Sequence, residues 1–169
     1  MDLDPITKSQ IQMKLFQNVE NVKDLRKKLM NGQLKCCIIK PALIFDPFQI
    51  VIAANKALTA EKLTTKSIFT EVLFNLSLSK NITKSLQTFG IDDKDKHLLI
   101  VTFSREGEKN NDDVYKEIVG EELNLSDLTN FSDLNAIKKT YKISEKEHEE
   151  IPLIDSIVSR IATKDFLSH

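Results

Sequence analysis

Asp46 followed by Pro47 opens the most tightly specified element of this chain, the run DPFQIVIAANKAL over residues 46–58. Asp46 supplies an N-cap acceptor, and Pro47 suits the first helical position because its missing N–H is one the helix could not have used. Laid out at about 100° per residue, Phe48, Val51, Ile52, Ala54 and Leu58 fall on one broad arc, and Ile50, Ala53 and Ala57 extend it round the other side. Gln49 and Lys56 form a polar seam. Asn55 projects between Val51 and Phe48, on the apolar arc itself, where an amide without partners costs a few kcal/mol. The pattern therefore predicts that Asn55 is hydrogen-bonded.

The rest of the chain alternates strand and helix patterns. IQMKLF (11–16) alternates like a half-buried strand, and Asn21 opens a helix through VKDLRKKLM that stops near Gly32. LKCCIIK and PALIF (34–45) suit an extended segment confined by Pro41 to an edge or a break. SIFTEVLFNLS (67–77) reads as a helix, Asn81 caps ITKSLQTF, and Gly90 suits the C′ position. HLLIVTF (97–103) is a buried-looking strand, REGEKNND a polar loop, 112–119 a helix, ELNL (122–125) a strand and Leu134 to Tyr141 another helix. In IPLIDSIVSRIATKDFL, Leu153, Ile154, Ile157, Val158 and Ile161 share one helical face, while Asp155, Ser156, Ser159, Arg160 and Thr163 share the other.

With 169 residues, 41% apolar and 29% charged, the composition suits one domain with a proper core. We read it as α/β of the α+β type over 1–169, with residues 1–10 flexible. Net charge is −1, but residues 1–105 hold 16 Lys/Arg against 10 Asp/Glu and residues 106–150 hold 6 against 13. A polyanionic partner for the basic part and a merely solvated surface both fit that asymmetry. The adjacent Cys36 and Cys37 have no third cysteine to pair with, which points to a reducing compartment. The opening residues lack a basic n-region and an apolar core, and no run is long enough to span a bilayer, so a secreted or membrane-spanning protein is not expected.

The search for a reaction centre returns nothing. GxGxxG, GxxxxGK[ST] and HExxH are absent, and three histidines with one adjacent cysteine pair do not assemble a zinc set. His97 at the head of a strand, His148 in an acidic loop and His169 read as surface or structural residues rather than general bases. No catalytic residue, metal or cofactor is expected.

DPFQIVIAANKAL, TEVLFNLS with ITKSLQTFGI downstream, IKKTYKIS and ATKDFL (162–167) together resemble, in order and spacing, the PRPK-binding protein family. The resemblance runs over roughly residues 10–167 and is thinnest over 104–135. It implies a central, mostly antiparallel sheet flanked by helices in a non-catalytic subunit of the KEOPS/EKC complex. Such a subunit binds and regulates an atypical, p53-related kinase-type ATPase, and meets the other KEOPS/EKC subunits through it. The complex serves threonylcarbamoyladenosine modification of ANN-decoding tRNAs. The resemblance further implies tRNA, including its 3′ CCA end, as a partner, with cytoplasmic and nuclear localisation. A small-molecule-binding or enzymatic α/β domain with an unrecognised site is the other reading of the residues.

Kinase-binding candidates lie on the last helix and its exit. Ile157 belongs to the broad apolar face, which also suits core packing, while Ile161, Lys164, Asp165 and Phe166 sit nearer the end, where cover is harder to provide. For tRNA, Lys56 reads as a phosphate contact or a solvated lysine, and Asn55 as a base or sugar contact or a tie to a neighbouring loop. Lys23 and Lys27, one turn apart with Arg26 and Lys28 beside them, offer a second basic face or a solvated one.

Overall fold

A computed structural model describes residues 2–4, 9–105 and 112–166. Five strands, β1 (Asp2–Asp4), β2 (Ser9–Gln17), β3 (Cys37–Ile39), β4 (Leu98–Arg105) and β5 (Glu121–Leu123), form one sheet in the order β1-β2-β4-β3, with β5 also on β2. Every pairing is antiparallel. The helices are α1 (Val22–Met30), α2 (Pro47–Thr59), α3 (Ile68–Leu76), α4 (Ile82–Phe89), α5 (Asp112–Lys116), α6 (Leu134–Thr140), α7 (Glu145–Glu150) and α8 (Leu153–Thr163). Short 3-10 segments cover Pro41–Leu43, Leu125–Asn130 and Lys164–Phe166. This is the single-domain α+β architecture expected. Of the stretch 1–10, residues 1 and 5–8 lie outside the described residues, whereas Asp2–Asp4 pairs with β2.

The period of two along the strands separates two cores. Leu99 and Val101 face one way, with Ile11, Leu15, Cys37 and Ile39, and are covered by α2, α3, α6 and α8. Leu98 and Ile100 face the other way, with Phe16 and Ile38, beneath Val22 and Leu25 of α1 and Val114 and Tyr115 of α5. The sheet is therefore the middle layer of three. Thr102, at the C-terminal end of the buried run of β4, meets the Tyr115 hydroxyl at 2.8 Å.

The local start signals work as read. Asp46 accepts from the Phe48 N–H at 2.8 Å and Asn81 from the Lys84 N–H at 2.9 Å; α3 opens on a reciprocal capping box of Ser67 and Thr70 that is not among the sequence expectations. Gly32, at φ +72°, supplies the left-handed turn after α1.

Three local expectations need correction and one is refined. Asn21 stands at the N-cap of α1, as expected, but its side chain makes no capping bond. Its amide donates to Glu117 O at 2.8 Å and accepts from Val119 N–H at 3.0 Å, tying α1 to the segment after α5. PALIF is not extended, because Pro41 opens a 3-10 turn. Gly90 has φ −75°, so it is not a left-handed C′ residue; what demands glycine is space, since a Cβ would lie 2.5 Å from Leu86 O. Gly90 then bridges Ile39, and Lys40 N–H donates to Phe89 O at 2.9 Å, so β3 is covered on its outer side. His148 lies in α7 rather than a loop: Ser144 caps that helix and Glu147 receives both arms of Arg160 at 2.6 and 2.8 Å.

The phase of α2 is also reversed. Its buried residues are Gln49, Ile50, Ala53, Ala54 and Ala57, so Gln49 faces the core and Asn55 lies almost opposite, half-buried on the outer face. The Gln49 amide accepts from Phe45 N–H and donates to Leu43 O and the Tyr141 hydroxyl, which is how a fully buried amide avoids its desolvation cost. Asn55 finds no side-chain hydrogen-bond partner among the described residues. The amide that does tie the helices is Asn75, which donates to Ala53 O at 3.0 Å.

Candidate partner-binding surfaces

The C-terminal end of α8 is built from charge as much as from apolar packing. Ile157 and Ile161 are buried in the core against α2, and Lys164 is only 1% exposed. Lys164 donates to Phe74 O at the end of α3, with its ammonium 3.5 Å from the Phe74 ring centroid. Burial lowers its pKa to about 8, and the charge on Lys56 pushes in the same direction. Lys56 donates to Ile161 O at 2.8 Å and pairs with Asp165 at 3.3 Å. A cation therefore meets the carbonyl end of α8, where the helix dipole favours it. Nearby, the buried carboxylate of Glu71 accepts from the N–H groups of Thr64 and Thr65 and from the Thr65 hydroxyl, fixing the chain between α2 and α3.

This arrangement divides the five kinase-binding candidates. Ile157, Ile161 and Lys164 are covered, contrary to the expectation that the helix end leaves Ile161 and Lys164 open, because α2 and α3 reach that far. Asp165 and Phe166 are exposed, Phe166 to 84%. The open flank of α8 is instead Ile154 and Val158, both half-buried. On the outer face of α2, Phe48 is exposed and Val51, Ile52 and Asn55 are half-buried. The wheel contained these residues; only the packing shows which flank is left uncovered.

A second surface lies beside β3. A groove of about 650 Å³ runs between α1, the segment 32–38, the start of α3 and α4. Leu29, Met30, Phe69, Leu73 and Leu86 give it apolar walls, and Arg26, Lys35 and Lys66 stand among its lining residues. Arg26 is held by Asp93 at 2.5 Å, whereas Lys35 and Lys66 are exposed and meet no acid among the described residues. Lys23 and Lys27, on the same helix as Arg26, are exposed and meet no acid among the described residues. Asn55 and Lys56 contribute nothing to this groove, so the four tRNA candidates divide between two places. Lys35 and Lys66 went unnoticed in the sequence because nothing in the string brings them to one groove.

Among the described residues there is no cluster of metal-binding side chains. Cys36 and Cys37 are free and buried; burial pushes the Cys36 thiol up to about 12 and raises Cys37 well above its ordinary value, so neither is poised as a nucleophile. His97 packs against Phe131 in a tilted ring pair with centroids 4.9 Å apart, a structural setting.

A sequence model of the family described as kinase binding protein CGI-121 matches residues 16–165. The chain is 36% identical over 155 residues to the EKC/KEOPS complex subunit TPRKB of Danio rerio, with 89% of each chain covered. It is 29% identical over 171 aligned residues to the EKC/KEOPS complex subunit cgi121 of Aspergillus fumigatus, with 90% of each covered. With the Schizosaccharomyces pombe subunit of the same name it shares 26% over 167 residues, covering 94% of this chain and 95% of that one. The matched span includes α2, the groove beside β3 and the whole of α8, and on this evidence the chain belongs to the kinase-binding CGI-121 family.

Proposed function

We propose that this chain is a non-catalytic KEOPS/EKC subunit that docks on the small lobe of the atypical kinase, regulates it, and helps hold tRNA for threonylcarbamoyladenosine modification. The observation that carries the kinase reading is Phe166. It is an aromatic side chain 84% exposed to water, two residues after Lys164, which is buried and locked to Phe74. Its backbone is thus fixed before any partner arrives, which lowers the ordering cost of binding, and exposed aromatics of this kind make effective anchors. Ile154 and Val158 extend the contact along α8. The kinase brings this subunit to the other members of the complex.

The groove beside β3 supports the tRNA reading. A single-stranded 3′ end needs apolar surface for its bases and cations for its phosphates, and Phe69, Leu73 and Leu86 stand there with Lys35 and Lys66. Lys23 and Lys27 extend the positive face along α1. We place the protein in the cytoplasm and nucleus, in keeping with its two free thiols; no described helix is long and apolar enough to cross a membrane.

Size-exclusion chromatography of the chain mixed with its cognate kinase tests the proposal. A one-to-one complex that Phe166→Ala weakens supports it. Separate elution of the two proteins at micromolar concentration refutes the kinase reading.

A further inference from the structure

On the far side of α4 from the groove beside β3 lies a second depression, about 390 Å³, between the end of α3, α4 and the exit of α6. Three lysines line it, Lys84, Lys139 and Lys142, together with the hydroxyl residues Ser79, Thr88 and Thr140. No carboxylate is among the lining residues, and none of the three lysines has an acid partner among the described residues. Lys138, next in sequence to Lys139, shows the alternative: it is neutralised by Glu145 at 2.9 Å and does not line the depression. Lys142 holds φ +55°, a left-handed conformation in which glycine or asparagine would be easier.

Cations without counter-charges, brought together from elements 55 to 58 residues apart in the chain, imply an anionic occupant. Apart from Leu78 every lining residue is of a polar type, and the depression has no aromatic ring or leucine cluster like the one that walls the groove beside β3. It suits the sugar-phosphate backbone, which ammonium and hydroxyl groups position without reading sequence. The geometry of α4 links the two sites. Leu86 faces the groove beside β3, whereas Lys84 and Thr88 face the lysine depression, and an α-helix is only about 10 Å across. A strand crossing α4 spans that distance in a few nucleotides.

We infer that the Lys84–Lys139–Lys142 depression binds the phosphate backbone of the same RNA whose 3′ end enters the groove beside β3. This rests on the tRNA reading proposed above.

The test compares the parent, the triple variant Lys84→Ala/Lys139→Ala/Lys142→Ala, and the groove variant Lys35→Ala/Lys66→Ala. Each is titrated with whole tRNA and with a short single-stranded oligonucleotide carrying the tRNA 3′ end, over a salt series, with melting curves alongside. The triple variant is expected to lose tRNA affinity at least tenfold and to reduce the salt slope by about 2 to 3, since each lost phosphate contact removes about 0.7–0.9 from it. Its affinity for the short oligonucleotide stays at the parent's value, while the groove variant loses both ligands. If the triple variant binds tRNA with the parent's affinity and slope, the depression is not an RNA site although the tRNA reading stands. If the parent binds neither RNA, both fall. A triple variant with a lowered melting temperature is replaced by Lys→Gln at the same three positions, and the same criteria apply.

Discussion

The Tyr141 hydroxyl accepts from the Gln49 amide at 2.8 Å and donates to Leu76 O at 2.7 Å, joining α6, α2 and α3 at one buried point. Burial raises the phenol pKa, so the group stays a neutral donor throughout the range in which the protein works. Tyr141→Phe leaves the Leu76 carbonyl and one Gln49 N–H unsatisfied in the interior. We expect a loss of about 1–3 kcal/mol of stability, read as a lower urea midpoint with an unchanged slope.

Burial separates two substitutions at the end of α8. Ile161 is 1% exposed, so Ile161→Glu places a carboxylate in the core and is expected to cost several kcal/mol, with loss of the folded circular-dichroism signal. Phe166→Glu changes an exposed position, and its stability should stay within about 0.5 kcal/mol of the parent while kinase binding weakens. Measuring both melting curves beside a kinase pull-down checks the pair; a folded Ile161→Glu protein would contradict the packing described.

Lys56 and Asn55 are neighbours with opposite expected behaviour. Lys56 ties α2 to the end of α8 through Ile161 O and Asp165, so Lys56→Met should lower the melting temperature. Asn55 has no side-chain hydrogen-bond partner among the described residues, and Asn55→Ala should change stability by less than about 0.5 kcal/mol. Any loss of kinase or tRNA binding by Asn55→Ala then reports a direct contact, since the fold is unaffected.

Stability should respond to pH at both extremes for opposite reasons. Lys164 has a folded pKa of about 8 against an ordinary 10.5. Between those values the unfolded chain holds a proton that the folded chain has released, so stability rises with pH through that window, and Lys164→Met should abolish the rise. Glu147 is held down to about 2 from 4.5 by Arg160. Its contribution is complete above the ordinary carboxylate value and is lost as pH falls towards 2, a loss that Glu147→Gln should remove. Chemical denaturation at stepped pH checks both.

What the sequence revealed follows the range of the physics involved. Asp46 and Asn81 could be recognised as caps because each bonds a backbone group two or three residues away. The phase of α2 could not, because its helix is apolar on most sides and the choice was made by Tyr141, 92 residues downstream. The apolar face of α8 was legible, yet the cover over Ile161 and Lys164 comes from α2 and from Phe74. The two lysine-lined depressions were invisible for the same reason: Lys66 and Lys35, or Lys84 and Lys139, become neighbours only when the helices between them fold.

The bridge between Gly90 and Ile39 bears on how the edge of the sheet is protected. A three-residue terminal strand whose outer side meets Gly90, with Lys40 N–H already donated to Phe89 O, offers no row of free amides on which another chain could crystallise as a further strand. That protection depends on a residue without a side chain, since a Cβ at position 90 would collide with Leu86 O. Enlarging Gly90 would therefore do more than strain α4. By pushing the covering segment away it would uncover β3, and the damage would surface as fibrous or amorphous self-association at concentrations where the parent remains in solution.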